Sequence, residues 1–192
     1  MKIIACIKIR FYYIAFLLFF LIVLFAFAPA ILRAMFPMPH FDVVEKYAQE
    51  NNLKVTMVYS IIKAESGFRP DVVSKKGAIG LMQITEKTGQ WIATQLDMKD
   101  YSIQLLTEPE VNVQFGCWYM SYLMERFKGN KELALAAYNA GEGTIRKWIE
   151  SGDIKWNGNE IKSLPYEETE KYLIRVNRIY FVYKTLYPDL DS

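Results

Sequence analysis

The chain is poor in the residues most enzymes use to build a nucleophile or a metal site. One histidine and two cysteines occur in 192 residues, and there is no glycine-rich phosphate loop. The histidine, His40, falls in "FPMPH", a proline-flanked stretch that reads as a linker. Ser-His-Asp and Cys-His sites need a histidine base held on a rigid scaffold, so neither is expected. Hydrolytic zinc commonly takes two or three histidines, and the sequence has no HExxH or paired-cysteine motif. No metal and no organic cofactor is therefore expected. An enzyme of this composition works with carboxylates, hydroxyls and amides. Cys117, in "FGCWYM", reads as a core thiol among large apolar side chains.

Acidic residues are missing from the amino-terminal segment, where no Asp or Glu occurs before Arg33. Lys2, Lys8 and Arg10 precede "FYYIAFLLFFLIVLFAFAPAIL", 22 uncharged residues from Phe11 to Leu32. Such a run is long enough to cross a hydrocarbon core of ~30 Å as a helix. The basic flank is expected to stay in the cytoplasm and to send the rest of the chain outside. Cys6 and Cys117 then lie on opposite sides of the membrane and cannot pair within one chain. A cleaved leader is the competing reading, since Ala-x-Ala patterns fall at Ala26/Ala28 and Ala28/Ala30. An uncleaved anchor is favoured. The run exceeds the ~7–15 apolar residues of a leader, and Pro29 follows the first possible cut.

The whole-chain charge of +2 reflects that segment. Of 23 basic residues, four are Lys2, Lys8, Arg10 and Arg33; the remaining 19 face 21 acidic ones, a balance of −2. Nucleic acid is not an expected partner. The expected organisation is a cytoplasmic tip and anchor over 1–33, a stiff spacer over 34–40 with Pro37 and Pro39, and one domain over 41–192.

Within that domain helical periodicity dominates. "FDVVEKYAQENN" and "VTMVYSIIKAES" read as two helices joined around Asn52 and Leu53. "GFRPDVVSKKGAIGLMQI" breaks the pattern and reads as a loop with short strands. Thr85 is placed to cap a helix through about Gln95. Thr107-x-x-Glu110 has the form of a capping box opening a long helix to about Phe127. Val111, Phe115, Trp118, Tyr119, Tyr122 and Leu123 recur along it at helical spacing, which makes it central. An Ala-rich helix ends at Gly141 and Gly143, and "TIRKWIE" forms another. A polar loop covers about 151–164, and Pro165 precedes a last helix to Tyr187. The fold class is mainly α with a small loop/β element.

One residue breaks the apolar logic. Val58, Ile62 and Glu65 share a helix face at i, i+4 and i+7, so Glu65 ends a core-facing stripe at a helix carboxyl end. Both the apolar surroundings and the negative dipole end disfavour its ionised form. A shift from ~4.3 to ~6.5 multiplies the protonated fraction at pH 7 by about 100. The alternative is that Glu65 turns outward or pairs with Lys63 or Arg69. Asp71 and Glu86 are weaker candidates for a second carboxylate. The abundant tyrosine and tryptophan suit sugar stacking and an aromatic core equally.

The blocks "ESGFRPDVVSKKGAIGLMQI" (65–84), "AYNAG" (137–141) and "YEETEKYLIRV" (166–176), in this order, resemble the catalytic domain of soluble-type lytic transglycosylases. This is glycoside hydrolase family 23, within the lysozyme-like superfamily, and the resemblance spans about 41–187. It implies a lysozyme-like fold and cleavage of the β-1,4 bond between N-acetylmuramic acid and N-acetylglucosamine in peptidoglycan. It also implies Glu65 as catalytic acid and substrate contacts from Ser66, Ser74, Met82, Gln83, Tyr138, Asn139, Glu168 and Tyr172. Leu173 stands where the family often has valine, a mild departure.

A hydrolase would need a second carboxylate as nucleophile or base. The family has a serine in the matching loop, here Ser74. The resemblance therefore implies that the muramic acid 6-hydroxyl attacks its own anomeric carbon, with Glu65 as returning base, leaving a 1,6-anhydro end. Gln83, Asn139 or Tyr138 would orient the N-acetyl group. Two rivals stay open: a goose-type muramidase hydrolysing the same bond, and a non-catalytic glycan-binding scaffold of an envelope machine. Expected partners are glycan strands and the membrane through 11–32, with cell-wall synthesis or secretion machinery unspecified.

Overall fold

The structure, a computed structural model, describes residues 2–156 and 161–191. The side chains of residues 2–11, Cys6 and the cations Lys2, Lys8 and Arg10 among them, lie outside that description, as do residues 157–160 of the expected 151–164 loop. The chain divides at Pro37/Met38 into two units, inside the expected spacer.

The first unit is one helix, α1 (Lys2–Met35), which continues through Pro29. Its Tyr12–Met35 stretch is long and apolar enough to cross a membrane. Phe16, Phe19 and Phe25 along it are exposed.

In the second unit α2 (Phe41–Glu50) and α3 (Val55–Glu65) meet at the expected turn, where Asn52 takes a left-handed φ of 53°. Every residue of α3 from Val55 to Ile62 is buried, so this helix is enclosed rather than amphipathic. It packs along the last helix, α8 (Glu167–Leu186), where Tyr59 stacks on Tyr183 at 5.6 Å. Each fully buried Val, Ile or Leu there contributes roughly 1.5–3 kcal/mol. Lys54, at the N-cap of α3, provides no side-chain cap. Asp191 supplies one from a 3-10 turn at Pro188–Asp191, accepting from the Thr56 amide at 3.2 Å and from the Thr56 hydroxyl.

Two short strands, β1 (Ala78–Ile79) and β2 (Ile84–Thr85), pair antiparallel in register Ala78↔Thr85 and Ile79↔Ile84. Thr85 caps α4 (Glu86–Gln95) as expected, its hydroxyl accepting from the Thr88 amide at 3.3 Å. A second small pair, β3 (Lys155–Trp156) and β4 (Ile161–Ser163), lies in the stretch expected as loop.

The capping box at Thr107 is a misreading. The hydroxyl of Thr107 donates to the Gln104 carbonyl at 2.8 Å within a 3-10 turn (Ile103–Thr107), and α5 (Pro109–Arg126) starts on Pro109. Proline's fixed φ suits the first helical position. Glu110 accepts instead from the Tyr47 hydroxyl at 3.2 Å. Helix α5 is central, as its periodicity implies. The buried set, however, also includes Asn112, Val113, Gly116, Cys117 and Met120, while Trp118, Tyr119 and Tyr122 are half-buried. Burial pushes the Cys117 thiol up, which keeps it a neutral core group. Helices α6 (Lys131–Ala140) and α7 (Glu142–Glu150) join at Gly141, whose φ of 90° turns the chain between them. Helix α6 packs against α5, α7 and α8.

Candidate active site

The β1–β2 turn is held in place by a residue far along the sequence. Asn112, fully buried on α5, donates to the Ile79 carbonyl at 2.9 Å and the Leu106 carbonyl at 2.7 Å. Its amide oxygen accepts from the Met82 amide at 2.7 Å. These bonds satisfy backbone groups that burial would otherwise leave unpaired. The approach is tight enough to require glycine at position 80, where a Cβ would sit 2.3 Å from the Asn112 Nδ2 and φ is +80°. Gly116 plays the matching part beneath Met82, whose Sδ would lie 2.2 Å from a Cβ.

The turn so fixed presents its next residues outward. Gln83, at φ 51°, donates from Nε2 to the carbonyls of Val72 (3.1 Å) and Gly80 (3.0 Å). The Ser74 amide donates to the Ala78 carbonyl at 2.8 Å, and the Ser74 Oγ accepts from the Ala78 amide at 3.0 Å. From α6, the Tyr138 hydroxyl donates to the Met82 carbonyl at 2.8 Å. Met82 is thereby held at both its amide and its carbonyl.

A cavity of about 460 Å³ opens over this arrangement, lined by Glu65, Ser74, Gln83, Tyr138, Asn139 and Glu168 together with Lys76, Thr85 and Arg175. Six of the nine residues singled out in the sequence thus meet in one cleft. The other three stand behind its wall. Ser66 is buried at the end of α3, its hydroxyl donating to the Ile62 carbonyl at 3.2 Å and accepting from the Phe68 amide. The Met82 side chain is fully buried against Gly116, so its side chain packs in the core and only its backbone reaches toward Tyr138. Tyr172 is 2% exposed, and its hydroxyl makes no hydrogen bond of ordinary geometry.

Glu65 ends α3 and is partly buried. Burial pushes its carboxyl up to about 7, against smaller opposing effects of the nearby Tyr172 hydroxyl and the Arg175 charge. Glu65 lines the cleft. The Arg69 Nε donates to the Ser66 carbonyl at 2.9 Å, and Lys63 lies over the Phe68 ring. Burial and the proximity of Glu65 hold Tyr138 and Tyr172 far above the usual phenol value, so both remain neutral donors. The other carboxylate of the cleft, Glu168, is exposed and ion-paired to Lys76 at 2.8 and 3.0 Å. Asp71 and Glu86 are exposed and do not line the cleft.

Sequence reasoning missed Lys76, Thr85, Arg175 and the clamp Asn112. Arg175 stood inside the third motif block, and Lys76 inside the first. Asn112 carried only a faint signal, one of two amides alternating with apolar residues in "VNVQF".

A mainly α domain with a two-strand turn and one carboxyl of raised pKa in a polar cleft defines a lysozyme-like class of fold. Comparison with known proteins makes that specific: the chain belongs to the transglycosylase SLT domain family, whose model matches residues 42–159. It is similar to the soluble lytic murein transglycosylase of Salmonella typhimurium, with 32% identity over 76% of this chain and 23% of that protein. It is also similar to membrane-bound lytic murein transglycosylase C of Yersinia pestis, at 27% identity over 72% of this chain and 44% of the other. The crystal structure of the 70 kDa soluble lytic transglycosylase from Escherichia coli superposes with a TM-score of 0.76 and 29% identity, covering 83% of this chain and 26% of that one. The chain thus spans about a quarter of the length of its soluble relatives. The expected fold class, mainly α and lysozyme-like, is the one observed.

Proposed function

We propose that the protein is a membrane-anchored lytic transglycosylase that cuts the β-1,4 bond between N-acetylmuramic acid and N-acetylglucosamine and leaves a 1,6-anhydro end. The observation that carries this reading is Glu65: a carboxyl pushed up to about 7 in a cleft whose other carboxylate is tied to a lysine. At pH 7 about half of such carboxyls hold a proton, against roughly one in 300 at an ordinary value. Glu65 donates that proton to the glycosidic oxygen as positive charge develops at the anomeric carbon. Once ionised, it takes the proton of the muramic acid 6-hydroxyl, which attacks the same carbon. That attack is intramolecular and gains the large effective molarity of a tethered nucleophile.

Ser74 lines the same cleft as Glu65, and its hydroxyl cannot activate water as the ionised base of a hydrolase would. Its Oγ accepts from Ala78 and keeps a proton to donate. Gln83 is anchored through its nitrogen, which leaves its amide oxygen for the sugar; Asn139 adds a second amide. These neutral groups suit an N-acetyl substituent. Ser66, Met82 and Tyr172 support the site from behind, Tyr172 through its effect on Glu65. The apolar stretch of α1 supports a single-pass anchor, and the basic residues before that stretch support a catalytic domain on the extracytoplasmic side.

Muropeptides released from purified sacculi by the full chain in detergent test the reading by mass spectrometry. The expected product is one water lighter than a hydrolysed end. Products bearing a free reducing end would make the protein a muramidase, and glycan retention without cleavage would make it a scaffold.

A further inference from the structure

Helix α8 turns only one side to the core. Lys171, Ile174, Arg178, Phe181 and Thr185 follow one another at steps of three and four, and all five are exposed. Arg175 and Lys184 flank this strip and are exposed as well. Phe181 is 70% exposed, more than any other large apolar side chain described in the second unit, and Ile174 is 45% exposed. The strip is also of one charge. No Asp or Glu occurs between Glu170 and Asp189, whereas Lys171, Arg175, Arg178 and Lys184 are cations. Lys171 meets Glu167 at 2.7 Å, but both side chains are largely exposed and such a pair is weak.

A fifth cation stands beside the Phe181 end of the strip. The Lys131 ammonium lies over the Tyr180 ring, 4.8 Å from its centroid. Burial holds its pKa below the ordinary lysine value; Glu132 opposes this, and the like charge of Lys184 adds to it. Lys131 and Lys184 are thus close enough to repel one another. A cationic helix face with a protruding aromatic matches the lipid–water interface, where apolar side chains enter the headgroup region and lysine and arginine meet anionic headgroups. The connection to the apolar helix points the same way. The Tyr59 hydroxyl donates to the Pro39 carbonyl at 3.1 Å, and Tyr59 stacks on Tyr183 of α8. The chain therefore enters the domain beside the carboxyl-terminal half of α8. Phe181 stands two residues before Tyr183 on the outer side, one helix diameter away, ~10 Å. Residues 36–40, five in number, join α1 to α2 and reach roughly 18 Å at most. On so short a tether even a weak surface contact is populated, because anchor and contact bind as one bivalent unit.

We infer that the outer face of α8 docks on an anionic lipid surface, with Phe181 in the headgroup region and Arg178 and Lys184 on lipid phosphates. The inference rests on the reading of α1 as a membrane anchor. Its consequence is functional. Arg175 flanks the strip and also lines the glycan cleft, so a domain docked in this way works on strands next to the membrane.

The test attaches an environment-sensitive nitrobenzoxadiazole label to the full chain through Phe181→Cys, with Cys6→Ser so that the buried Cys117 is the only other thiol. A chain labelled through Gln95→Cys, on the exposed side of α4, is the reference. Both are reconstituted into vesicles of phosphatidylcholine alone or with about 30% phosphatidylglycerol. The label at position 181 is expected to be about twofold brighter on the anionic vesicles, and the label at position 95 unchanged. Adding Arg178→Glu and Lys184→Glu, both at exposed positions, should abolish the rise, and about 0.5 M salt should reduce it. Equal emission in the two lipids, or a rise that survives the double charge reversal, would overturn the inference. Emission in phosphatidylcholine that grows with the protein-to-lipid ratio would assign the face to a second copy and overturn it as well. A chain that floats with neither vesicle in a density gradient would instead remove the anchor reading, and the docking with it.

Discussion

Replacing Glu65 by Gln removes a proton-binding group and keeps the shape, so its effect on stability is fixed by the shift of that group. Burial pushes the Glu65 carboxyl up to about 7, from 4.5 in an unperturbed chain. Below about pH 4.5 the carboxyl is protonated in both folded and unfolded chains and costs nothing. Between about 4.5 and 7 the unfolded chain loses its proton while the folded one keeps it. Stability therefore falls as pH rises through this window. Above 7 the loss is complete, and 2.5 pK units at 1.36 kcal/mol each give about 3 kcal/mol.

Glu65→Gln does not titrate. Its melting temperature should match wild type near pH 4 and exceed it near pH 8. For a domain of this size each kcal/mol moves the midpoint by roughly 2–4 °C, so a gap of at least about 5 °C is expected. Thermal unfolding of both proteins in one detergent, from pH 4 to pH 8, reads the difference directly, because all other titrating groups are common to both. Cleavage should be lost in the variant at every pH. A gap that does not grow with pH, or a variant less stable than wild type at pH 8, would refute the buried-carboxyl account. Wild-type turnover in the variant would refute Glu65 as the acid.

Asn112→Ala leaves the Met82 amide and two carbonyls without partners, so a loss of about 3 kcal/mol or more is expected in chemical denaturation; Asn112→Asp, which sets a buried acceptor oxygen against those two carbonyls, should lose at least as much. Gly116→Ala forces a methyl group into the Met82 side chain and should cost roughly 1–3 kcal/mol while lowering the rate of sacculus clearing. Ser74→Asp supplies a carboxylate that can orient water, and mass spectrometry of its products should show a fraction one water heavier than the anhydro form. An unchanged product ratio in an active Ser74→Asp enzyme would count against the role given to Ser74.

How much of this was legible in the sequence depends on how far apart the interacting residues lie. Glu65 could be read because its environment is local: Val58 and Ile62, on the same helical face, already mark the side that turns inward. The cap at Thr85 was legible for the same reason, its partner Thr88 being three residues away. Thr107 misled because a capping-box pattern and a 3-10 turn use the same residues, and Pro109 decided between them. Met82 was legible as a motif member, but its direction was not. That direction is set by the missing side chain at Gly116 and by Asn112, thirty residues away from the amide it binds. The consequence is mechanical. Asn112 holds the Met82 amide and Tyr138 holds the Met82 carbonyl, while Gln83 follows directly on the same turn. The position of Gln83 is therefore coupled to a buried residue of α5 that is not among the residues lining the cleft. Such a residue acts on catalysis only through the turn, so its loss should displace Gln83 and Tyr138 together and weaken glycan binding while the Glu65 acid itself stays in place.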